Sequence, residues 1–134
     1  MNNNELSAKL FNQYISMEPP LDKLVKKTLK TKVEHRKDVF GDKVDAVAED
    51  IFNILYYIIY SGKYPKYMLA KYDFNADEIE ILLETIGDYL LLEGDFEDAL
   101  YALIEQEAPD APKEVEEEVA DKLHKYLSEI VKQL

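Results

Sequence analysis

Apolar residues recur at intervals of three and four along almost the whole chain, and no stretch shows the sustained alternation of a half-buried strand. Such spacing gives a helix one apolar face to bury against its neighbours. The 134 residues are enough to build one hydrophobic core. The sequence therefore predicts an all-α fold in which residues 1–134 form a single domain, a compact bundle of five to seven helices with short connections.

Two prolines and a glycine divide the first half of the chain. The Pro19–Pro20 pair ends the first predicted helix, and its second proline fits the first turn of the next one, where an N–H group is not needed. The pattern loosens toward Gly41, and Asp42 is expected to cap a third helix that runs to Tyr60. From Ile51 onward this helix is apolar nearly all round, which predicts a central position.

The second half of the chain carries the clearest helix start. Asn75 can cap a helix through its side chain while Glu78 reaches back to form a capping box, and this helix is predicted to run to Glu93. Asp95 is expected to cap the following helix after a tight turn. Residues 107–112 form a short linker, and the final helix then extends to the C-terminus.

The apolar stripes of two of these helices assign core positions. The helix that starts at Asn75 is expected to bury Ile79, Leu82, Leu83, Ile86, Leu90 and also Tyr89. The C-terminal helix is expected to bury Val115, Val119, Leu123, Tyr126, Ile130 and Leu134. The helices over residues 42–60 and 75–93 are placed at the centre, with the C-terminal helix packed across them.

The net charge of −12 is distributed unevenly. Residues 1–43 form a basic N-terminal part with nine Lys/Arg and six Asp/Glu, whereas the acidic part, residues 73–121, holds eighteen acids and a single base, Lys113. An acidic surface attracts basic partners and repels nucleic-acid phosphates, so direct nucleic-acid contact is not favoured. Because residues 23–37 are rich in lysine, nucleic-acid binding remains a minor hypothesis. Ion pairing of these lysines with the acidic part of the same molecule is the favoured explanation of their positive charge.

Several chemistries lack the residues that they require. Without cysteine there can be no disulfide, thiol nucleophile or cysteine-ligated metal. The two histidines, His35 and His124, lie far apart in the sequence and are expected to face solvent. We therefore predict no catalytic, cofactor-binding or metal-ligating residue and no enzymatic activity. The N-terminus does not resemble a signal peptide and residues 51–60 are too short to span a bilayer, so a cytoplasmic protein without membrane contact is expected.

These observations favour a non-catalytic binding protein, such as an inhibitor, a phage or immunity protein or an adaptor, that engages a basic surface of a protein partner. A nucleic-acid-binding enzyme is one candidate partner. Negative charge would raise the rate of association with a basic partner. Partly exposed tyrosine side chains often serve as anchors in protein interfaces, because they combine an apolar ring with a polar hydroxyl. The predicted contact residues are Asp88, Glu93, Asp95, Glu97, Asp98, Glu105 and Glu107, with Tyr64 and Tyr67 as anchors.

Two alternatives remain open. The protein could be a self-associating assembly or chaperone component that uses the apolar residues 51–59 as a subunit interface. It could also be a magnesium-dependent helical nucleotide pyrophosphohydrolase, because Glu80, Glu84 and Asp88 line one helical face, although no matching carboxylate pair stands on a neighbouring long helix. The tyrosine-rich segment over residues 56–72 fits either a core or an interface.

Overall fold

Eight helices account for most of residues 2–133, the part of the chain that the computed structural model describes. No strand occurs in that range, and the predicted all-α single-domain bundle with short connections is confirmed, with seven helices longer than one turn. A 3-10 turn over Gly41–Lys43 links the third helix, which is a single turn long, to the fourth. In chain order the helices are α1 (Asn3–Ser16), α2 (Leu21–Glu34), α3 (Lys37–Phe40), α4 (Val44–Ser61), α5 (Lys66–Lys71), α6 (Ala76–Leu90), α7 (Asp95–Glu107) and α8 (Lys113–Gln133).

Helix α2 packs along both α4 and α7 and buries a narrow stripe between them. The stripe repeats every four residues, which keeps its side chains on one face, and it consists of Leu21, Val25, Leu29 and Val33. Helix α8 packs mainly along α1 and less closely against α6, so it does not lie across α4 and α6 as expected. None of the helices between Asn2 and Gln133 combines the length and apolar character that crossing a membrane demands.

The start and the end of α6 have separate local causes. Asn75 Oδ1 accepts a hydrogen bond from the Glu78 backbone N–H at 2.9 Å, and Glu78 Oε1 accepts one from the Asn75 N–H at 3.0 Å, which confirms the predicted capping box. The helix ends at Leu90 and not at Glu93. Leu92 takes a φ of 54°, a left-handed conformation that does not continue a right-handed helix.

The two predicted aspartate N-caps are wrong. Asp42 lies inside the 3-10 turn, and α4 begins at Val44 without a side-chain cap. Asp95 is the first residue of α7, and the cap position belongs to Gly94, whose φ is 58°. A glycine with positive φ directly precedes each aspartate and turns the chain there. Asp95 therefore lies one residue past the N-cap of α7, whereas Asp42 lies one residue before Lys43, the N-cap of α4.

The buried face of α6 is rotated from the predicted one. Ile81, Thr85 and Tyr89 point inward at four-residue spacing, and Leu82, Ile86 and Leu90 are buried beside them. Leu83, predicted to be core, is 42% exposed because it lies on the opposite side from the inward row. On α8, Leu127 is buried where Tyr126 is half-buried, and Leu134 lies outside the described residues.

The apolar segment of α4 belongs to the core. Ile51, Ile54, Leu55 and Ile58 have no exposed surface, and Ile59 is 5% exposed. These side chains pack against the other helices of the same chain, so they are not available as the subunit interface of the self-association hypothesis.

A stacked pair of tyrosines lies inside the core. The rings of Tyr14 and Tyr89 have centroids 5.6 Å apart, and Phe96 meets Tyr89 edge-on at 5.3 Å. Both tyrosines are fully buried, and neither hydroxyl has a hydrogen-bond partner of good geometry among the described residues. Burial raises the pKa of both phenols, because the charged form loses its hydration there.

We expect the double substitution Tyr14→Phe/Tyr89→Phe to protect the fold at high pH. The unfolded chain releases both protons near pH 10, whereas the folded protein retains them, so the free energy of unfolding falls as the pH rises above about 10. Urea unfolding between about pH 9 and pH 11 measures this loss, which we expect to be smaller in the variant. Tyr56→Phe/Tyr60→Phe, an exposed stacked pair, is the matched control. Equal losses in both variants would contradict the explanation.

Candidate protein-binding groove

Exposed apolar side chains converge on a groove between α6 and the C-terminal ends of α4 and α8, which we call the α6 groove. Leu83, Leu91 and Val131 line it and are 42%, 51% and 41% exposed. No other large aliphatic side chain in the described part of the chain is exposed to this degree, since the remaining exposed large apolar residues are tyrosines. One of those tyrosines, Tyr64, also lines the groove and is 48% exposed.

The walls of the α6 groove are apolar except for the Tyr64 hydroxyl. Ile58 contributes from α4, Pro65 from the start of α5, and Ile86 and Leu90 from α6. The groove has a volume of about 270 Å³ and opens to solvent. An apolar cavity of about 150 Å³ holds a benzene molecule, so the groove has room for a leucine or an aromatic side chain.

Gly87 lies in the groove, midway between Leu83 and Leu91 on the exposed face of α6. Its φ is outside the left-handed region, so no turn requires a glycine at this position. A Cβ added to Gly87 would meet no atom within 4 Å, so no packing contact within the chain requires one either. Glycine inside a helix costs about 1 kcal/mol relative to alanine. Because Gly87 has no side chain, it leaves a gap on the helix surface between exposed Leu83 and Leu91, which we call the notch.

Charged side chains flank the α6 groove. Glu80 and Glu84 are exposed on α6, within one turn of Leu83, and neither forms an ion pair with any described residue. Lys63 and Lys66 neighbour Tyr64 and Pro65 in the sequence on the other side. The α6 side of the groove is therefore acidic.

Three of the seven carboxylates predicted to contact a partner form ion pairs within the chain. Lys32 Nζ lies 3.5 Å from Asp88 Oδ2 and 3.7 Å from Asp95 Oδ2, and its ammonium also sits 5.6 Å from the centre of the Phe96 ring. Glu107 lies 3.7 Å from Lys9. Of the lysines in residues 23–37, Lys32 pairs with the acidic part as expected, and Lys9 forms a further pair with it.

The other four predicted carboxylates form no ion pair between Asn2 and Gln133. They are Glu93, Glu97, Asp98 and Glu105. Asp98 lines a shallow cleft between α2 and α7 beside Lys27 and Thr31. Glu97 lies near Tyr101, whose pKa is raised by partial burial first and then by the negative charges of Glu97, Glu116 and Glu117. We call this cluster on α7 and the start of α8 the Tyr101 acidic surface.

The structure separates Tyr64 from Glu97, the one predicted carboxylate that lies beside Tyr101 in the Tyr101 acidic surface. Tyr64 lines the α6 groove beside Val131, whereas Glu116 of the Tyr101 acidic surface lies fifteen residues earlier on α8. At 1.5 Å per residue, this separation is about 22 Å. Tyr67 is 84% exposed on α5 and does not line the groove.

Of the residues that line the α6 groove, sequence reasoning identified Tyr64 as a contact residue and missed the aliphatic ones. It assigned Leu83 to the core, extended the helix past Leu91 and gave Gly87 no role. The available signal was the spacing of the Leu83–Gly87–Leu91 stripe, in which a glycine inside a helix separates two leucines at intervals of four.

A metal ion needs a group of ligand side chains that lie close together. Over residues 2–133, no three His, Asp or Glu side chains are grouped as a metal ion would require. His35 and His124 are exposed, as predicted.

A scan against protein-family models finds no match, and comparisons with curated proteins and with solved structures find none either.

We expect Gly87→Ala to raise the free energy of unfolding by about 1 kcal/mol, because alanine is the better helix former and its methyl group meets open space. Gly62→Ala is the control: its φ of 67° at the C-cap of α4 is unfavourable for alanine, so this variant should lose about 1–2 kcal/mol. Urea unfolding of both variants measures the difference. Destabilisation by Gly87→Ala would mean that the notch is filled by contacts within the chain.

Proposed function

We propose that this protein is a non-catalytic protein-binding module whose α6 groove holds apolar side chains of a basic partner. The observation that carries the proposal is the convergence of Leu83, Leu91 and Val131, with Tyr64, on one solvent-open groove. Single exposed apolar residues are ordinary, but a contiguous apolar group bordered by charges is typical of an interaction site.

The acidic character of the molecule favours a basic partner. A net charge of −12 and the unpaired Glu80 and Glu84 beside the groove give an approaching cation a favourable potential. Such attraction raises the association rate and weakens with salt, whereas apolar contacts in the groove slow dissociation and are not screened by salt. The two contributions can therefore be separated by ionic strength.

A module of this kind acts by covering or tethering its partner. Inhibitors, immunity proteins and adaptors all work in this way, and nucleic-acid-binding proteins carry the basic surfaces that an acidic module can cover. The Tyr101 acidic surface, at the other end of α8, would supply long-range attraction and not the anchoring contact.

Affinity capture from cells that encode the protein tests this function. We expect the wild-type protein to retain a basic protein that Leu83→Glu/Leu91→Glu loses about tenfold or more. The matched control is Ala8→Glu/Ala46→Glu, which adds the same charges at exposed positions on α1 and α4 and should retain the partner. At about 0.5 M salt we expect weaker but not abolished retention.

Two results of this capture would contradict the proposed function. Equal retention by the wild-type protein and the groove variant would mean that the α6 groove is not the contact. Equal loss in the groove variant and the control would mean that negative charge alone decides the outcome.

A further inference from the structure

The lining of the α6 groove restricts the backbone conformation of an occupant. Its walls are mainly aliphatic side chains such as Ile58, Ile86 and Leu90, and the Tyr64 hydroxyl is the one hydrogen-bonding group among the side chains that line it. Backbone N–H and C=O groups buried without partners are unfavourable, so a segment that lies here must satisfy them within itself. No strand in residues 2–133 offers an edge for an extended peptide. An α-helix meets the requirement, because its backbone bonds are internal.

The notch at Gly87 fixes where such a helix would cross. Leu83 and Gly87 on α6 and Leu91 at its C-cap form one ridge at intervals of four, and the glycine interrupts the ridge about 6 Å from each leucine. When ridges of this type interdigitate, a side chain of one helix enters the gap in the other, and the axes approach to about 8–10 Å. Gly87 permits that approach because it presents no side chain at the crossing.

The negative charges on α6 indicate which side chains the bound segment carries beside its apolar face. Glu80 and Glu84 are exposed on the α6 face that carries the notch, and no described residue pairs with either. Lys or Arg on the facing edge of an amphipathic helix would neutralise them. A second copy of this chain does not offer such a helix: its basic amphipathic helix α2 already buries its apolar stripe, and each copy carries a charge of −12.

We infer that the occupant of the α6 groove is an amphipathic α-helix of a partner protein that crosses α6 at Gly87. It inserts a large apolar side chain between Leu83 and Leu91 and presents Lys or Arg to Glu80 and Glu84. This inference rests on the proposed function, to which it adds the conformation, crossing point and charge of the bound segment.

Designed peptides of about 15 residues test the inference. The probe has leucines at helical spacing on one face and lysines elsewhere; one control replaces the lysines by glutamates, and another places a proline at the centre to break the helix. Fluorescence anisotropy measures affinity, and amide NMR shifts of Leu83, Gly87 and Leu91 locate the site. We expect the leucine–lysine helix to bind at least about tenfold more tightly than either control.

Substitution at the notch completes the test. Gly87→Leu fills the gap, and we expect it to weaken binding of the leucine–lysine helix at least about tenfold while the protein stays folded by circular dichroism. Ala46→Leu, the same kind of addition at an exposed position of α4, should leave binding unchanged.

Each contrary outcome overturns a defined part of the inference. If the proline peptide binds as tightly as the leucine–lysine helix, the occupant need not be helical, and the proposed function still stands. If the leucine–glutamate peptide binds as tightly, the partner need not be basic, which contradicts the proposed function itself. Unchanged binding by Gly87→Leu would remove the crossing point. If no peptide binds, the inference of a helical partner is wrong. It is also wrong if sedimentation equilibrium shows a dimer of this protein that Gly87→Leu dissociates. In both cases the capture experiment still tests the proposed function.

Discussion

Burial of the α2 stripe between α4 and α7 is the contact on which the rest of the structure depends. Leu21, Val25 and Leu29 have no exposed surface, and this leaves the lysines of α2 on its outer sides. One of them, Lys32, approaches both Asp88 and Asp95 and so joins α2 to α6 and α7. The same side of α6 stacks Tyr89 on Tyr14 in the core. With its inner side fixed in this way, α6 turns the Leu83–Gly87–Leu91 stripe outward.

The carboxylates of the acidic part, residues 73–121, have two physical roles. The amino-acid composition of this part does not show which carboxylate has which role. Asp88 and Asp95 share an ion pair with Lys32, and Glu107 pairs with Lys9, so these three carboxylates contribute to contacts between helices. Glu80 and Glu84 form no such pairs among the described residues and border the α6 groove. The negative charge therefore divides between internal pairing and a surface potential, and the apolar groove supplies the specific contact that charge alone does not.

The fold was predictable from the sequence because helix periodicity and the capping box at Asn75 are local signals. The groove was not. Leu83 fits an apolar stripe as well as Leu82 does, and only the packing of Ile81, Thr85 and Tyr89 decides which face turns inward. Ion pairing of Asp88 with Lys32 joins residues that are distant in the chain, so no spacing rule could separate internal carboxylates from exposed ones.

Photo-crosslinking in the native cell tests the central claim, that the α6 groove is where a partner binds. A benzophenone amino acid replaces Leu91 in the groove or, for comparison, Tyr60, which is 84% exposed on another surface of α4. We predict an adduct with one basic protein from position 91 and none with that protein from position 60. No adduct from position 91, or the same adduct from both positions, would contradict the account.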